Sequence, residues 1–217
     1  MIELPKACVV DKFVPKKTFY EKVNIPNSIR EEFIDKLSKI YWKYKIAEDT
    51  LNISKTEKIE EIEVFELELK EKYNCKNIIK TITKNIPYPI LFYIKFENEF
   101  QHAIKYNDEI YFSEWNNPIV ITFSGLNIET IYDNIVKAIA KIDNSVIDLD
   151  SEILKQNKIC NLEKEIKKLE SKIRLEKQFN IKVRYNEEIS RLKKEMEEIK
   201  NGKNWSVYEK SKWEQWI

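Results

Sequence analysis

The chain has 217 residues and a formal net charge of +1, with 35% charged and 42% hydrophobic residues. This length fits either one compact domain with an appendage or two small domains. The interleaved charges argue against a dedicated nucleic-acid binder, which usually has a basic excess. Gly125 and Gly202 are the only glycines, so Walker and dinucleotide loops, which need several glycines at fixed spacing, are excluded.

Further absences bear on localisation and cofactors. No apolar run is long enough to span a bilayer, and residues 1–5 lack the basic start and apolar core of a signal peptide. Cys8, Cys75 and Cys160 are far apart and odd in number, which is typical of a reduced setting. We therefore expect a cytoplasmic protein. With a single histidine and no paired cysteines, a structural zinc site is not expected, and we expect no cofactor.

The first half of the chain alternates helices and strands. The predicted elements are a short helix from Pro15, a helix over roughly 28–41, a strand at 42–47, a strand at 59–70 and a helix around 78–82. A capping box of Ser28 and Glu31 opens the second helix. Apolar alternation slips by one residue between Val64 and Phe65, which indicates either a bulge or a strand covered on both faces.

A β-meander is predicted next. Its strands are placed at 89–96, 100–106, 109–115 and 118–123, and a helix capped by Asn127 follows. A three-residue loop at 97–99 would pair Ile94 with His102 and would put the large apolar groups of both strands on one face. The element order therefore predicts an α+β domain over residues 1–145, with a mixed or antiparallel sheet and flanking helices.

A charged helical appendage is expected over residues 146–203. Apolar residues recur at spacings of four and three in two sets: Leu162, Ile166, Leu169 and Ile173, then Ile189, Leu192, Met196 and Ile199. The sets mirror each other, and Phe179 and Val183 fall on the same mirror, so an antiparallel hairpin turning near Asn180 and Ile181 would bury both sets. The absence of Gly and Pro at that turn favours the alternative, a long coiled-coil-like helix packing on partner chains.

One short motif has a catalytic interpretation. Glu68 and Lys70 lie two residues apart on a predicted strand, as in metal-dependent nucleases of the PD-(D/E)xK type, where the carboxylate binds Mg²⁺ and the lysine positions water. Asp49 is the aspartate that would complete this set. The alternative interpretation is a solvated strand face, because Glu-x-Lys is common in a chain this charged.

Two further features have candidate roles. His102 lies in an apolar strand with no evident catalytic partner, so a packed core or edge histidine is expected. The tail over residues 204–217 contains Trp205, Trp213 and Trp216, which would dock on a protein partner or fold back on the domain. Base stacking by these rings is a weaker alternative, because the tail is not strongly basic.

Several stretches resemble one bacterial family, domain of unknown function 4391. They are "LPK" (4–6), "VDKFVPKKTFY" (10–20), "IYWKYKIAEDTLNI" (40–53), "IEVFELELK" (62–70), "NIPYPILFYIKF" (85–96) and "EKQFNIKV" (176–183). The resemblance spans nearly the whole chain but implies no catalytic residue. Family members tend to be encoded beside restriction-modification methyltransferases and helicases, which implies a role near DNA-processing or phage-defence systems by association.

These observations favour a non-catalytic accessory protein of a restriction-modification-like or phage-defence system. It would contact a protein partner through the appendage or the Trp-rich tail, with an indirect association with DNA and none with a membrane. The alternatives are a metal-dependent nuclease centred on Glu68 and Lys70, and a nucleic-acid-binding adaptor.

Overall fold

The structure, a computed structural model, describes residues 4–21, 25–120, 123 and 125–201. The chain divides into two compact units, Met1–Ser145 and Val146–Ile217. The first is an α+β unit, and the described part of the second is a pair of helices. The predicted fold class, a mixed sheet with flanking helices and a C-terminal helical hairpin, is confirmed.

The α+β unit begins with a 3-10 helix at Lys6–Cys8. Its further elements are β1 (Val9–Phe13), α1 (Lys17–Tyr20), α2 (Asn27–Asp35), β2 (Leu37–Ala47), α3 (Glu48–Leu51), β3 (Glu61–Leu69), α4 (Lys76–Asn85), β4 (Ile90–Phe96), β5 (Glu99–Tyr106), β6 (Glu109–Phe112) and α5 (Ile128–Ala140). The strands form one six-stranded sheet in chain order. Among the described strands, β3 and β4 alone pair in parallel, because α4 carries the chain back across the sheet between them.

Both faces of the sheet are covered. Phe65, Leu67 and Leu69 of β3 pack in a cluster with residues of α1, α2 and α4. Ile62 and Val64, of the opposite parity, are also buried, and α5 contacts β3, β5 and β6. The slip in the apolar alternation of β3 therefore reflects a strand buried on both faces. A register shift between Trp42 and Tyr44 of β2 lies opposite this position.

The cap of α5 is formed as predicted. The Thr130 backbone N–H donates to Asn127 Oδ1 at 2.9 Å, which satisfies one of the free amides at the helix start. At the other end, Lys141 has φ 58 and terminates the helix in the left-handed conformation. Ile128, Ile131 and Ile135 are fully buried, so this stripe is part of the core.

The N-terminal part of the unit differs from the prediction. Strand β1 was not predicted, and the second helix ends at Asp35 instead of near residue 41. Its N-cap is Pro26, which makes no side-chain hydrogen bond to the helix start, so the predicted capping box of Ser28 and Glu31 is absent. Leu37 and Ile40, spaced as for a helix, belong to β2 because pairing with β3 buries both completely.

The hairpin of β4 and β5 also differs from the prediction. Phe96 pairs with Glu99 and Tyr93 pairs with His102, so the loop has two residues and the register is shifted by one. Glu97 accommodates this tight loop with φ 52. The predicted register assumed a single buried face, whereas adjacent residues of β4 are buried on both faces, so burial does not select between the registers. Residues 118–120 are not in a strand, and 121, 122 and 124 lie outside the described residues.

The second unit contains α6 (Leu149–Leu175) and α7 (Phe179–Lys200), which pack against each other as an antiparallel pair. Asp148 caps α6 by accepting the Ser151 N–H at 3.0 Å. The seam between the helices contains all eight residues of the two predicted apolar sets, together with Ile159. The hairpin alternative is therefore confirmed, and the two sets pack on each other.

The turn of this hairpin falls earlier than predicted. It occupies Glu176–Gln178 instead of the region of Asn180 and Ile181. No glycine is needed, because Glu176 is extended and its Oε1 accepts the backbone N–H groups of Lys177 and Gln178 at 2.7 and 2.8 Å. Phe179 therefore starts α7 and is exposed, instead of lying in the seam.

Candidate functional sites

The predicted nuclease residues lie near one end of β3. Glu68 is on the strand and forms an ion pair with Lys39 at 3.9 Å. Lys70 follows the strand, and its Nζ donates to the backbone oxygen of Ile34 at 2.8 Å. Glu68 is therefore paired with a cation, and the Lys70 ammonium group has a hydrogen-bond acceptor in the chain.

Asp49 lies at the opposite end of the same strand pair. It forms an ion pair with Lys45 at 3.6 Å, and Ala47, two residues earlier, pairs with Glu61. Glu68 is seven positions along β3 from Glu61, a distance of about 23 Å at the usual rise of a strand. The structure therefore does not bring Asp49 to Glu68 and Lys70. Among the described residues, no three His, Cys, Asp or Glu side chains are grouped so that they could hold a metal ion.

A carboxyl pair that was not singled out from the sequence lies near Asp49. Glu63 is 4% exposed, and its Oε2 has no hydrogen-bond partner among the described residues. Burial, followed by the charge and hydrogen bond of Glu61, raises the pKa of Glu63 to about 8, so this carboxyl is mostly protonated at pH 7. Lys45 forms an ion pair with Glu61 at 3.0 Å.

His102 is packed between aromatic rings of the sheet. It is 4% exposed, with ring centroids of Tyr93 and Phe100 at 5.2 and 5.7 Å. Its backbone N–H donates to Ser113 Oγ at 2.9 Å. Burial lowers the pKa of His102 to about 4, so the ring is neutral at pH 7. The aromatic contacts and the neutral ring are features of a packed histidine.

Charged side chains along most of the helical hairpin are balanced. Residues 149–171 carry five acidic and five basic side chains, and residues 185–200 carry five acidic and four basic ones. Ion pairs join the two helices, and they include Lys158 with Glu195, Glu163 with Lys200, and Glu170 with Lys193. We refer to these two ranges together as the shaft.

Residues 172–184, which we call the basic tip, have a different composition. They carry five basic side chains and one acidic one, a formal net charge of +4. Lys172 lies over the Tyr185 ring at 5.9 Å. The other four cations form none of the ion pairs found in the described part of the chain: Arg174, Lys177, Lys182 and Arg184. The basic tip is thus a local positive field on a nearly neutral chain.

Large apolar side chains are exposed at the same place. Leu175 ends α6 and is 84% exposed, while Phe179 begins α7 and is 76% exposed. Val183, one turn into α7, is 37% exposed. This patch was not predicted from the sequence, because the turn was expected a few residues later. The local net charge of residues 172–184 is the sequence signal that could have indicated it.

The three candidate docking residues of the tail, Trp205, Trp213 and Trp216, lie outside the described residues, so their predicted role stays a prediction.

Comparison with protein families gives one match. The model described as "Domain of unknown function (DUF4391)" matches residues 2–196. The chain belongs to this family. No curated protein and no solved structure matches the DUF4391 chain. Among the described helices of this DUF4391 protein, none combines the length and apolar character needed to cross a bilayer.

Proposed function

We propose that this DUF4391 protein is a non-catalytic accessory protein of a bacterial DNA-processing or phage-defence system, acting in the cytoplasm through contacts with a protein partner. The observation that supports the proposal is the basic tip, where Leu175 and Phe179 are exposed at the end of a helical hairpin. Large exposed apolar patches are rare on soluble monomers, and where they occur they mark interaction sites. The link to DNA processing comes from the gene neighbours that the family resemblance implies.

The hairpin is suited to hold exposed side chains in a fixed position for a partner. Its seam is filled by its own two helices, so the side chains that remain for a partner are those at the end and on the outer faces. Glu176 fixes the turn through two backbone hydrogen bonds, which holds the apolar pair in place. A site positioned before binding loses little conformational entropy when a partner binds.

A pull-down in the bacterium that encodes the chain tests this function. The tagged wild type, a Leu175→Ser/Phe179→Ser variant and the shaft control Lys164→Glu/Lys168→Glu are compared by mass spectrometry. We expect a methyltransferase, helicase or other DNA-processing protein to be retained by the wild type and the control and to be reduced in the tip variant. Failure of the wild type to retain any such protein would overturn the proposal.

An activity assay tests the nuclease alternative. We expect purified protein with Mg²⁺ or Mn²⁺ to leave DNA and RNA intact. Glu68 lies about 23 Å along β3 from Glu61, which is at the end of the strand pair where Asp49 is found, and Lys70 lies farther still. Glu68 and Lys70 also have other partners, Lys39 and the Ile34 backbone oxygen. Cleavage by the wild type that is lost in both Glu68→Ala and Lys70→Ala would overturn the non-catalytic proposal.

A further inference from the structure

The turn end of the helical hairpin combines exposed apolar side chains with cations that form no ion pair in the described part of the chain. Leu175 and Phe179 are among the most exposed large apolar side chains of the described chain. Around them, Arg174, Lys177, Lys182 and Arg184 form no ion pair within the described residues. Apolar surface is stabilised by leaving water, and unpaired cations are stabilised by carboxylates or phosphates. A single partner surface that satisfies both must contain an apolar recess and negative charge.

The contrast with the shaft indicates that the charge is local. The shaft carries nearly equal numbers of both signs and pairs its helices through Lys158 with Glu195 and Glu170 with Lys193. Helix stability and solubility are thus served by balanced charges along both helices. The +4 of the basic tip adds nothing to that pairing, so its complement is expected on another molecule.

Nucleic acid fits this surface less well than protein does. A phosphate backbone would pair with the cations but would leave Leu175 without an apolar partner, and aliphatic side chains do not stack on bases as aromatic rings do. Interfaces between proteins are enriched in aromatic residues and Arg relative to the rest of the surface, and their rims are polar. Phe179 with Arg174 and Arg184 matches that composition.

An anionic membrane also fits less well. Helices that lie in a lipid interface bury a long apolar face. In this hairpin the long apolar faces of both helices are already used, because Leu162, Ile166, Ile189, Leu192 and Ile199 pack in the seam between them. Among the described residues of the two helices, the exposed large apolar side chains are those near the turn: Leu175, Phe179 and Val183.

We propose that the basic tip docks into a recess of an acidic protein surface, with Leu175 and Phe179 in the recess and Arg174, Lys177, Lys182 and Arg184 against carboxylates at its rim. The inference rests on the proposed function and names the chemistry of the partner: a folded protein whose binding patch carries net negative charge. The two buried apolar groups supply affinity, and the cations supply orientation and a salt-dependent association rate.

Site-specific photo-cross-linking of the full chain tests this inference in the encoding bacterium. Benzoylphenylalanine replaces Phe179 in one variant and Ser190, an exposed shaft residue, in the control. The two positions lie about 16 Å apart along α7 at the usual helical rise, so the shaft is sampled separately. We expect an adduct at position 179, absent at position 190, whose cross-linked peptide comes from a net acidic surface.

The captured protein is then purified and its affinity for four forms of the chain is measured across NaCl concentrations. Leu175→Ser/Phe179→Ser is expected to weaken binding by about 30-fold or more, as for two central interface residues. Arg174→Glu/Lys177→Glu is expected to weaken it by about tenfold at low salt and less at high salt. The shaft control Lys164→Glu/Lys168→Glu is expected to bind like the wild type. Circular dichroism verifies that each variant keeps the helical hairpin.

Several results would overturn the inference. One is an adduct from a neutral or basic patch of the partner. Another is binding by both tip variants that equals binding by the wild type. A third is tip-dependent binding of a 30-base-pair duplex or of phosphatidylglycerol vesicles that is tighter than binding of the captured protein. Partners retained in the pull-down through surfaces other than the tip would overturn the inference and leave the proposed function intact. Absence of any retained DNA-processing protein would overturn the proposed function itself.

Discussion

The α+β unit and the helical hairpin are stabilised in different ways. In the α+β unit, residues far apart in sequence meet, and side chains such as Phe33, Phe92 and Leu67 are completely removed from water. In the hairpin, a single seam between two helices leaves even its best-buried residues 3% to 7% exposed. The hairpin is therefore expected to be the less stable unit, because it buries less apolar surface per residue.

This difference has a functional counterpart. The charges of the sheet unit form ion pairs between elements distant in sequence, such as Lys72 with Glu99 at 2.6 Å and Lys76 with Glu109 at 3.0 Å. The hairpin pairs its shaft charges and leaves those of its tip without carboxylate partners in the described chain. A region with a minimal core and an unsatisfied end is suited to binding, whereas a region buried on both faces is suited to holding a shape.

The largest expected effect is in the sheet unit. Ile135→Asp places a carboxylate in a fully buried position of α5, with a free-energy penalty of roughly 4 kcal/mol or more, a large share of the stability of a typical domain. We expect loss of the cooperative melt of this unit. Ile135→Val, which removes one methylene, should reduce stability by only about 1 kcal/mol. A melt of the aspartate variant within a few degrees of wild type would show that α5 is not part of the core.

A smaller, local effect is expected in the hairpin. Leu192→Ala removes a side chain that is 3% exposed from the seam and should destabilise it by about 2–3 kcal/mol. Hydrogen exchange measured by mass spectrometry should show lost protection over residues 149–200 and unchanged protection in β3 and β4. Ser190→Ala, on the exposed side, is the control. Equal loss of protection in both units would contradict the separate stabilities inferred for them.

The carboxyl pair of β3 predicts a pH dependence confined to the sheet unit. Because the folded-state pKa of Glu63 is raised to about 8, this residue stabilises the fold at low pH. That contribution declines as pH rises from about 4.5 to about 8, with a slope of at most about 1.4 kcal/mol per pH unit. Glu63→Gln mimics the protonated carboxyl and should flatten this dependence in denaturant titrations. A wild-type stability that rises between pH 6 and pH 8 by an amount that Glu63→Gln abolishes would contradict the assignment.

The smallest effect is expected from removal of the tail. Deleting residues 204–217 should leave the melts of both units nearly unchanged and should weaken retention of the partner in the pull-down, since the tail is predicted to dock Trp205, Trp213 and Trp216. Differential scanning calorimetry of the truncated and complete chains measures the first part. Clearly lower melting temperatures on truncation would favour a tail that packs on the chain.

Local patterns in the sequence were sufficient for some elements. The cap at Asn127 depends on residues three positions apart, and the seam of the hairpin depends on repeats of four and three, so both could be predicted. The basic composition of residues 172–184 is likewise readable from the sequence. Whether Leu175 and Phe179 are buried or exposed was not, because it depends on where the turn falls within a few residues of similar helical propensity.

The remaining features were decided by tertiary structure. Leu37 and Ile40 have the spacing of a helix, but they lie in a strand because β3 offers hydrogen bonds and a buried face at that position. The register of β4 on β5 is decided by a two-residue loop, since apolar side chains are buried on both faces of β4 in either register. The separation of Glu68 from Asp49 follows from the length of the strand between them. The sequence by itself determined the elements stabilised by neighbours along the chain, whereas pairing with distant segments decided the rest, because a strand acquires its hydrogen bonds only from another strand.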